Sequence, residues 1–177
     1  MQKVITVFGS SHPSEGDPDY DLAFELGKSL AAAGFVLCNG GYGGVMEASA
    51  RGAKSAGGRT IGVTISGVGR ANRWIDEVIE MRTLIERLQK LIALGDAYVV
   101  LRGGTGTLLE LAAVWEFINK NLMETKPVVA FGPFWANVIR TLQAQLKAEG
   151  SAAADAITIV ESPQQCVDVL RRRVAQS

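Results

Sequence analysis

A glycine-rich stretch in the middle of the chain contains the residue types best suited to chemistry. Gly103, Gly104 and Gly106 follow an apolar run at residues 97–101 and precede residues 108–118, which are rich in strong helix formers. These glycines keep side chains away from the loop and permit positive φ. A glycine loop between a strand and a helix exposes the free N–H groups of the first helical turn, which together with the helix dipole favour phosphate. The stretch therefore predicts an anion-binding site.

Two polar residues accompany this loop. Thr107 is predicted to be the N-cap of the following helix, and Glu110, three residues later, can reach back toward the loop. The pair fits a catalytic carboxylate beside a bound phosphate. It also fits a capping box, which stabilises a helix end without any ligand. Both interpretations stay open from these residues alone.

The composition is that of a soluble globular protein. Of 177 residues, 47% are hydrophobic and 20% are charged, and a chain of this length fits a single domain spanning residues 1–177. Lys plus Arg and Asp plus Glu number 18 each, so no overall charge favours nucleic acid or an anionic membrane. No signal-peptide pattern and no apolar run of about 20 residues occurs, and two cysteines form no disulfide framework. We therefore expect a cytoplasmic protein whose partner is a small molecule.

Strand-like and helix-like segments alternate along the chain. The predicted strands lie at residues 4–8, 35–38, 60–63, 78–81, 97–101, 128–131 and 157–160. The predicted helices lie at residues 20–33, 45–56, 83–94, 108–118 and 133–147, and a last helix starts with Ser162 as N-cap and Pro163 as its first residue. This alternation predicts an α/β fold with a doubly wound, mostly parallel sheet and helices on both faces.

Two of the predicted helices have informative faces. In the helix at residues 83–94, capped by Thr83, the side chains of Leu84, Leu88 and Leu91 share one face and Arg87 falls elsewhere. The helix at residues 108–118 is apolar around most of its circumference, so it must be covered on more than one side. A second subunit is the predicted cover, which makes the protein a homodimer. The alternative is an interior helix that neighbours in the same chain cover.

The motifs of several common enzymes are absent. The loop at residues 9–14 is not the Gly-x-Gly-x-x-Gly of a dinucleotide site, and the chain contains no P-loop sequence. His12 is the only histidine, which excludes a multi-histidine metal site, and we expect neither a metal nor a cofactor. The remaining inventory fits a nucleoside monophosphate. A carboxylate such as Glu110 near its ribose suits cleavage of the N-glycosidic bond through an oxocarbenium-like transition state.

The glycine loops resemble those of a known family. Residues 103–110, Gly-Gly-Thr-Gly-Thr-Leu-Leu-Glu, resemble the Pro-Gly-Gly-x-Gly-Thr-x-x-Glu signature of the Lonely Guy family, the cytokinin-activating phosphoribohydrolases also labelled "possible lysine decarboxylase". Residues 8–11 and 40–46 resemble its first and second loops. The resemblance implies a Rossmann-like homodimer that hydrolyses a nucleoside 5′-monophosphate, such as AMP or a cytokinin riboside monophosphate, to free base and ribose 5-phosphate. It implies that Glu110 and Arg87 are catalytic.

The residues predicted to contact the phosphate or the nucleotide lie in the three glycine-containing loops. They are Gly9, Ser10, Ser11, Gly41, Gly43, Gly44, Arg102, Gly103, Gly104, Thr105, Gly106 and Thr107.

The chain also departs from the family pattern. Arg102 stands where the signature has proline, and residues 85–88 read Ile-Glu-Arg-Leu where the pattern is His-x-Arg-Lys. Residues 44–48 together with residues 51–53 resemble, at least as closely, the molybdenum cofactor carrier proteins, which share the fold and bind a phosphate-bearing cofactor without hydrolysing a nucleotide. A non-catalytic carrier is therefore the alternative function.

Overall fold

The computed structural model describes residues 2–174, in which strands and helices alternate as predicted. The strands are β1 (Val4–Phe8), β2 (Val36–Asn39), β3 (Thr60–Ile65), β4 (Glu77–Met81), β5 (Ala97–Val100), β6 (Val128–Phe131) and β7 (Ile157–Val160). The helices are α1 (Pro18–Ala32), α2 (Val45–Ser55), α3 (Leu84–Leu94), α4 (Thr105–Asn119), α5 (Gly132–Ala148) and α6 (Pro163–Val174), and a short 3₁₀ helix that the sequence did not predict, Ala152–Asp155, precedes β7. No helix within residues 2–174 combines the length and the apolar character that crossing a membrane requires.

The described strands form one sheet in the order β4-β3-β2-β1-β5-β6-β7. Every pairing among them is parallel. Side chains of α1, α2 and α6 pack on one face of the sheet, and side chains of α3, α4 and α5 pack on the other. The predicted α/β, Rossmann-like, doubly wound fold is therefore confirmed.

The point where the winding reverses lies between β1 and β5. Phe8 at the end of β1 pairs with Val100 at the end of β5, so the loops that follow these two strands start side by side. Ligands of doubly wound sheets bind at such a switch point, outside the carboxyl ends of the strands. The fold thus brings the first glycine loop and the loop of residues 101–104 to one place.

Strand β1 lies at the centre of the sheet and contributes to both hydrophobic layers. Ile5 and Val7 are buried against the α1 and α2 side, whereas Phe8 is buried on the opposite side. Thr6 faces the same side as Phe8, and its hydroxyl is satisfied because it donates to the carbonyl of Leu91 at 3.1 Å. The alternation of side chains along a strand explains this division.

The leucines predicted to share one face of helix α3 differ in their burial. Thr83 caps it as predicted, with its hydroxyl accepting a backbone N–H. Leu88 and Leu91 lie in the core, whereas Leu84, which was predicted to share their helix face, is 51% exposed. Leu84 is the first residue of α3 and follows the end of β4 at Met81. Arg87, which falls elsewhere on the helix, is buried instead.

Candidate functional site

Helix α4 begins earlier than predicted and has no side-chain cap. Thr105 is its first residue, and Gly104 is the N-cap, with an extended backbone conformation. Thr107, the predicted N-cap, is the third helical residue and is buried. The predicted cap is therefore wrong, and so is the capping-box explanation of Glu110. The N–H groups of residues 104–107 are the donors that a first helical turn leaves without intrahelical partners.

The backbone of Ser10 ties three loops together at this helix end. Its N–H donates to the carbonyl of Arg102 at 3.1 Å, and its carbonyl accepts the N–H of Val45, the first residue of α2, at 2.8 Å. Gly44, just before α2, has a φ of 66°, and a Cβ there would meet the Ser10 carbonyl. A Cβ at Gly103 would meet the side chain of Thr107. Close backbone approach therefore requires glycine at both positions.

The glycines of the central loop matter because they lack a side chain, and not because they adopt positive φ. Gly103, Gly104 and Gly106 are not among the residues with positive φ, so the conformation that the sequence permitted is not used. A Cβ at Gly104 or at Gly106 would meet nothing within 4 Å. The first turn of α4 therefore borders open space, into which its N–H groups can point.

Polar side chains fix the second glycine loop from two directions. Asn39, buried at the end of β2, donates to the carbonyl of Met46 at 2.8 Å and accepts the N–H of Gly41 at 2.8 Å. Asn72, from the segment between β3 and β4, donates to the carbonyls of Gly41 and Tyr42 at 3.1 and 2.8 Å. The loop is thus held in place before any ligand binds.

Arg87 reaches the site from α3 and is held by several partners. Its Nε donates to the carbonyl of Val63 at 2.7 Å, and its guanidinium carbon lies 5.6 Å from the centre of the Tyr42 ring. Its Nη2 lies 3.9 Å from Sδ of Met46. A Cβ at residue Gly40 would collide with this guanidinium, so the second loop leaves room for Arg87 by lacking a side chain there.

Glu110, on the second turn of α4, faces Arg87. Its Oε1 lies 3.8 Å from Nη1 of Arg87, and only 14% of the Glu110 side chain is exposed. Burial raises the pKa of Glu110 to about 7, and the positive charge of Arg87 opposes this rise. The carboxyl group is therefore poised near neutral pH to accept a proton or to stabilise a positive charge.

A cleft of about 310 Å³ brings these groups together. Its walls are Gly9, Ser10, Ser11, His12, Tyr42, Met46, Arg87, Gly104, Thr105, Gly106, Thr107 and Glu110. The structure thus places both residues predicted to be catalytic beside the first turn of α4 and the loop after β1. His12, Tyr42 and Met46 are wall residues that the prediction left out, although the last two belong to the second loop on which the family resemblance rests.

Five of the predicted contact residues lie outside this cleft. Gly41 is itself a buried residue of the second loop, and Gly43 and Gly44 line a neighbouring pocket of about 400 Å³ beside Arg51. Arg102 and Gly103 line a pocket of about 490 Å³ on the other side. The guanidinium of Arg102 lies over the Phe134 ring, 5.1 Å from its centre, and therefore points away from the cleft.

Another cavity of about 480 Å³ lies at the opposite edge of the sheet, beside Pro127 and Ala156, which precede β6 and β7. Two of its polar side chains bond to the protein itself, since Lys126 donates to the carbonyl of Gly95 and Ser151 donates to Asn119. We therefore place the candidate site in the cleft of Glu110, where buried charge and free backbone donors meet.

Neither thiol chemistry nor a protein-bound metal is favoured by the described residues. Burial raises the pKa of Cys38 and of Cys166 to about 12, so both thiols stay protonated at neutral pH. Within residues 2–174, no group of three or more His, Cys, Asp and Glu side chains is arranged to hold a metal ion.

Comparison with known proteins assigns the chain to a family. A model described as the SLOG cluster4 family matches residues 2–167. The chain belongs to the SLOG cluster4 family. An uncharacterized protein of Archaeoglobus fulgidus is 37% identical over 127 residues, which cover 71% of this chain and 81% of that protein. A cytokinin riboside 5′-monophosphate phosphoribohydrolase of Mycobacterium tuberculosis is 35% identical over 136 residues, which cover 73% of this chain and 71% of that protein.

Solved structures add a second kind of relative. The molybdenum cofactor binding protein of Rippkaea orientalis is 28% identical, with a TM-score of 0.75 and coverage of 97% of each chain. This SLOG cluster4 chain is therefore similar both to phosphoribohydrolases and to a cofactor-binding protein. The resemblance predicted from the glycine loops is confirmed at the level of the family.

The contrast between the adjacent residues Gly103 and Gly104 can be tested by measuring the stability of variants at each position. Gly103→Ala should lower the free energy of unfolding by about 1–3 kcal/mol, because its Cβ overpacks against Thr107. Gly104→Ala should cost less than about 1 kcal/mol, because its Cβ enters open space at a helix N-cap. Urea unfolding measures both changes. Equal losses for the two variants would contradict the described packing of this loop.

The pKa of Glu110 predicts how stability depends on pH. Since the folded state raises this pKa from 4.5 to about 7, its contribution to stability is complete below about pH 4.5 and is lost as the pH rises to about 7. Relative to Glu110→Gln, the wild type should lose roughly 3 kcal/mol of unfolding free energy over this range. Urea unfolding at a series of pH values measures the difference.

Glu116→Gln is the matched control, because Glu116 is exposed on the same helix. The difference between wild type and this variant should not change with pH in the same range. If the wild type and Glu110→Gln respond identically to pH, Glu110 is not the buried carboxyl group described above.

Proposed function

We propose that this protein hydrolyses the N-glycosidic bond of a nucleoside 5′-monophosphate and releases the free base and ribose 5-phosphate. One observation carries the proposal: the buried carboxyl group of Glu110 and the free N–H groups of the first turn of α4 border the same cleft. Such a cleft offers a place for a phosphate and, beside it, a carboxylate for the sugar. The phosphoribohydrolase relatives at about 35% identity support the same reaction.

The phosphate binds at the N-terminus of α4 in this proposal. The backbone N–H groups of residues 104–107 donate to its oxygens, and the helix dipole favours its negative charge. Ser10 and Ser11 line the same cleft and supply hydroxyl groups from the loop after β1. Neither the binding nor the placement of the ribose requires a metal ion, because the helix end provides the donors.

Glu110 acts on the ribose. The bond between the anomeric carbon and the base nitrogen breaks, its electron pair leaves with the base, and the sugar becomes oxocarbenium-like. The Glu110 carboxylate stabilises this positive charge and accepts a proton from the attacking water. The water oxygen bonds to the anomeric carbon, and the proton passes to the departing base, so the atoms and charges balance.

Arg87 positions this carboxylate. Its guanidinium is fixed by the Val63 carbonyl and lies 3.8 Å from Glu110, which favours the ionised form that burial opposes. Leu88, which replaces the lysine of the family pattern, is buried in the core and does not line the cleft. Leu88 therefore makes no contact with a ligand in the cleft. The proposed reaction relies on Arg87 as its cation.

The alternative function is a carrier that binds a phosphate-bearing molecule, such as the molybdenum cofactor, without hydrolysis. The similarity to the Rippkaea orientalis protein, which covers nearly the whole of both chains, favours this alternative. The same helix N-terminus would hold the phosphate. The difference lies in Glu110, which a carrier does not need as a base.

Turnover distinguishes the two functions. Purified protein incubated with AMP, GMP, CMP or a cytokinin riboside monophosphate should release free base, measured by chromatography. Glu110→Gln should lower kcat by about two to four orders of magnitude with little change in binding, because the charge acts mainly in the transition state. For the wild type, kcat should rise with pH through about 7, as Glu110 ionises.

Glu116→Gln is again the control and should keep full activity, since Glu116 pairs with Lys120 and not with the cleft. Tight nucleotide binding with no base released from any substrate would contradict the proposed hydrolase function and favour the carrier function. Base release that Glu110→Gln leaves intact would overturn the role of Glu110.

We further propose that the protein is a homodimer. Leu108 and Leu109 on α4 are 40% and 39% exposed, and Leu84 and Ile85 on α3, on the same face of the sheet, are exposed as well. These leucines are only partly covered within residues 2–174, and a second copy of the chain would cover the rest of the apolar outer side of α4.

A charge at this surface tests the assembly. The wild type should sediment as a dimer at micromolar concentration, and Leu109→Asp should shift it to monomers because the carboxylate would be buried unpaired. Ala32→Asp, on the opposite face of the sheet, should leave the dimer unchanged. A monomeric wild type, or a Leu109→Asp protein that remains dimeric, would disprove this interface.

A further inference from the structure

An exposed aromatic platform adjoins the candidate site. Phe134, in the first turn of α5, is 46% exposed, and its ring lies 5.0 Å edge-on from Trp135 and 5.1 Å below the guanidinium of Arg102. Trp135 is buried and donates to the carbonyl of Leu101 at 3.0 Å, so it anchors the start of α5 against the loop after β5. The Phe134 ring is thereby held in place while one side stays open to solvent.

Arg102 is weakly held on this platform. Its nearest acidic partner is Asp19, at 3.9 Å, and 62% of the Arg102 side chain is exposed. An ion pair of this kind contributes between about 0 and 1 kcal/mol in water. The guanidinium can therefore move aside or stack on an entering ring, since both arginine and phenylalanine offer planar faces.

The pocket that holds this platform is continuous with the cleft of Glu110. Ser10 and His12 line both spaces, and Gly103, in the wall of the platform pocket, is followed directly by Gly104 in the wall of the cleft. A phosphate on the N-terminus of α4 would thus lie at the border of the two spaces. One substituent of that phosphate would extend toward Glu110, and a second would extend toward Phe134.

The charges around Phe134 bear on the second substituent, because three carboxylates, those of Asp17, Asp19 and Glu161, outnumber the one arginine, Arg102, in the walls of the two pockets there. Asp17 and Asp19 line the platform pocket, and Asp19 and Glu161 line an adjoining apolar pocket of about 360 Å³ that also contains Phe134. Carboxylates accept hydrogen bonds from ring N–H and amino groups and repel a second terminal phosphate. The surroundings therefore favour a flat heterocycle that carries amino or ring N–H donors.

From this arrangement we infer a second subsite, formed by Arg102, Phe134 and Asp19, for a planar amino-bearing heterocycle linked through the phosphate of the bound nucleotide. The inference rests on the phosphate position in the proposed function and extends it. The ligand class is a nucleotide whose phosphate is esterified or joined as a diphosphate to a second ring-bearing group, rather than a simple monophosphate.

Calorimetric titration with three probes tests the subsite: AMP, ADP and diadenosine diphosphate. The titrations use the full chain carrying Glu110→Gln, which prevents hydrolysis of the probes. Diadenosine diphosphate should bind about tenfold more tightly than AMP, because its second adenine stacks on the platform, whereas ADP should gain no such advantage. Phe134→Ala should abolish the tenfold gain and leave AMP affinity unchanged, and Phe134→Tyr should retain the gain.

Leu142→Ala is the matched control, because Leu142 is also an exposed apolar residue of α5 but lines neither pocket. It should keep the preference for diadenosine diphosphate. Equal affinity for AMP and diadenosine diphosphate, or a preference that survives Phe134→Ala, would overturn the subsite while leaving the phosphate site intact. Failure of all three probes to bind would overturn the phosphate site of the proposed function and the subsite with it. A change of oligomeric state in Phe134→Ala, with no change in ligand preference, would show that Phe134 serves an interface instead.

Discussion

The arrangement of the site depends on the two backbone hydrogen bonds of Ser10. One joins the loop after β1 to the loop after β5, and the other joins it to the start of α2. The parallel sheet brings β1 and β5 side by side, but it does not by itself fix the irregular residues that follow them. Because Ser10 bonds in both directions, the start of α4 and the start of α2 are placed relative to each other by main-chain atoms.

A second constraint is the burial of opposite charges. Arg87 and Glu110 come from helices that pack on the same face of the sheet, and both are largely withdrawn from water. At 3.8 Å the two groups attract each other without a close hydrogen bond, while the Val63 carbonyl occupies another donor of the arginine. Such a pair stabilises a fold poorly, because desolvation offsets much of the attraction. Its position at the end of a cleft is better explained by chemistry than by stability.

The sequence predicts the fold well because the relevant signals are local. Apolar runs that end in glycine loops, separated by helical segments, allow few arrangements other than a doubly wound sheet, and the parallel order then brings the glycine loops to one edge. The predicted start of α4 is wrong because the helix begins earlier, at Thr105, and the Thr107 side chain is buried instead of capping it. A threonine cap is worth only about 1 kcal/mol, so tertiary packing can outweigh it. The sequence could not predict that Arg87 is buried or that Arg102 points away from the cleft. These two features depend on Val63 and Phe134, which are distant along the chain. Helical periodicity assigns charged residues to solvent, and only tertiary partners reverse that assignment.

The burial of Glu110 has a consequence for the free energy of folding. A carboxylate in open water must lose its hydration shell each time it takes part in a reaction. Folding has already removed most of the water around Glu110. In the proposed reaction, the unfavourable desolvation would be met once, by the folding free energy, and would not recur in each turnover. A chain selected only for robustness would replace this glutamate with an uncharged residue. In the proposed reaction, the buried Glu110 would thus provide a preorganised electrostatic environment at the expense of the native state's own stability.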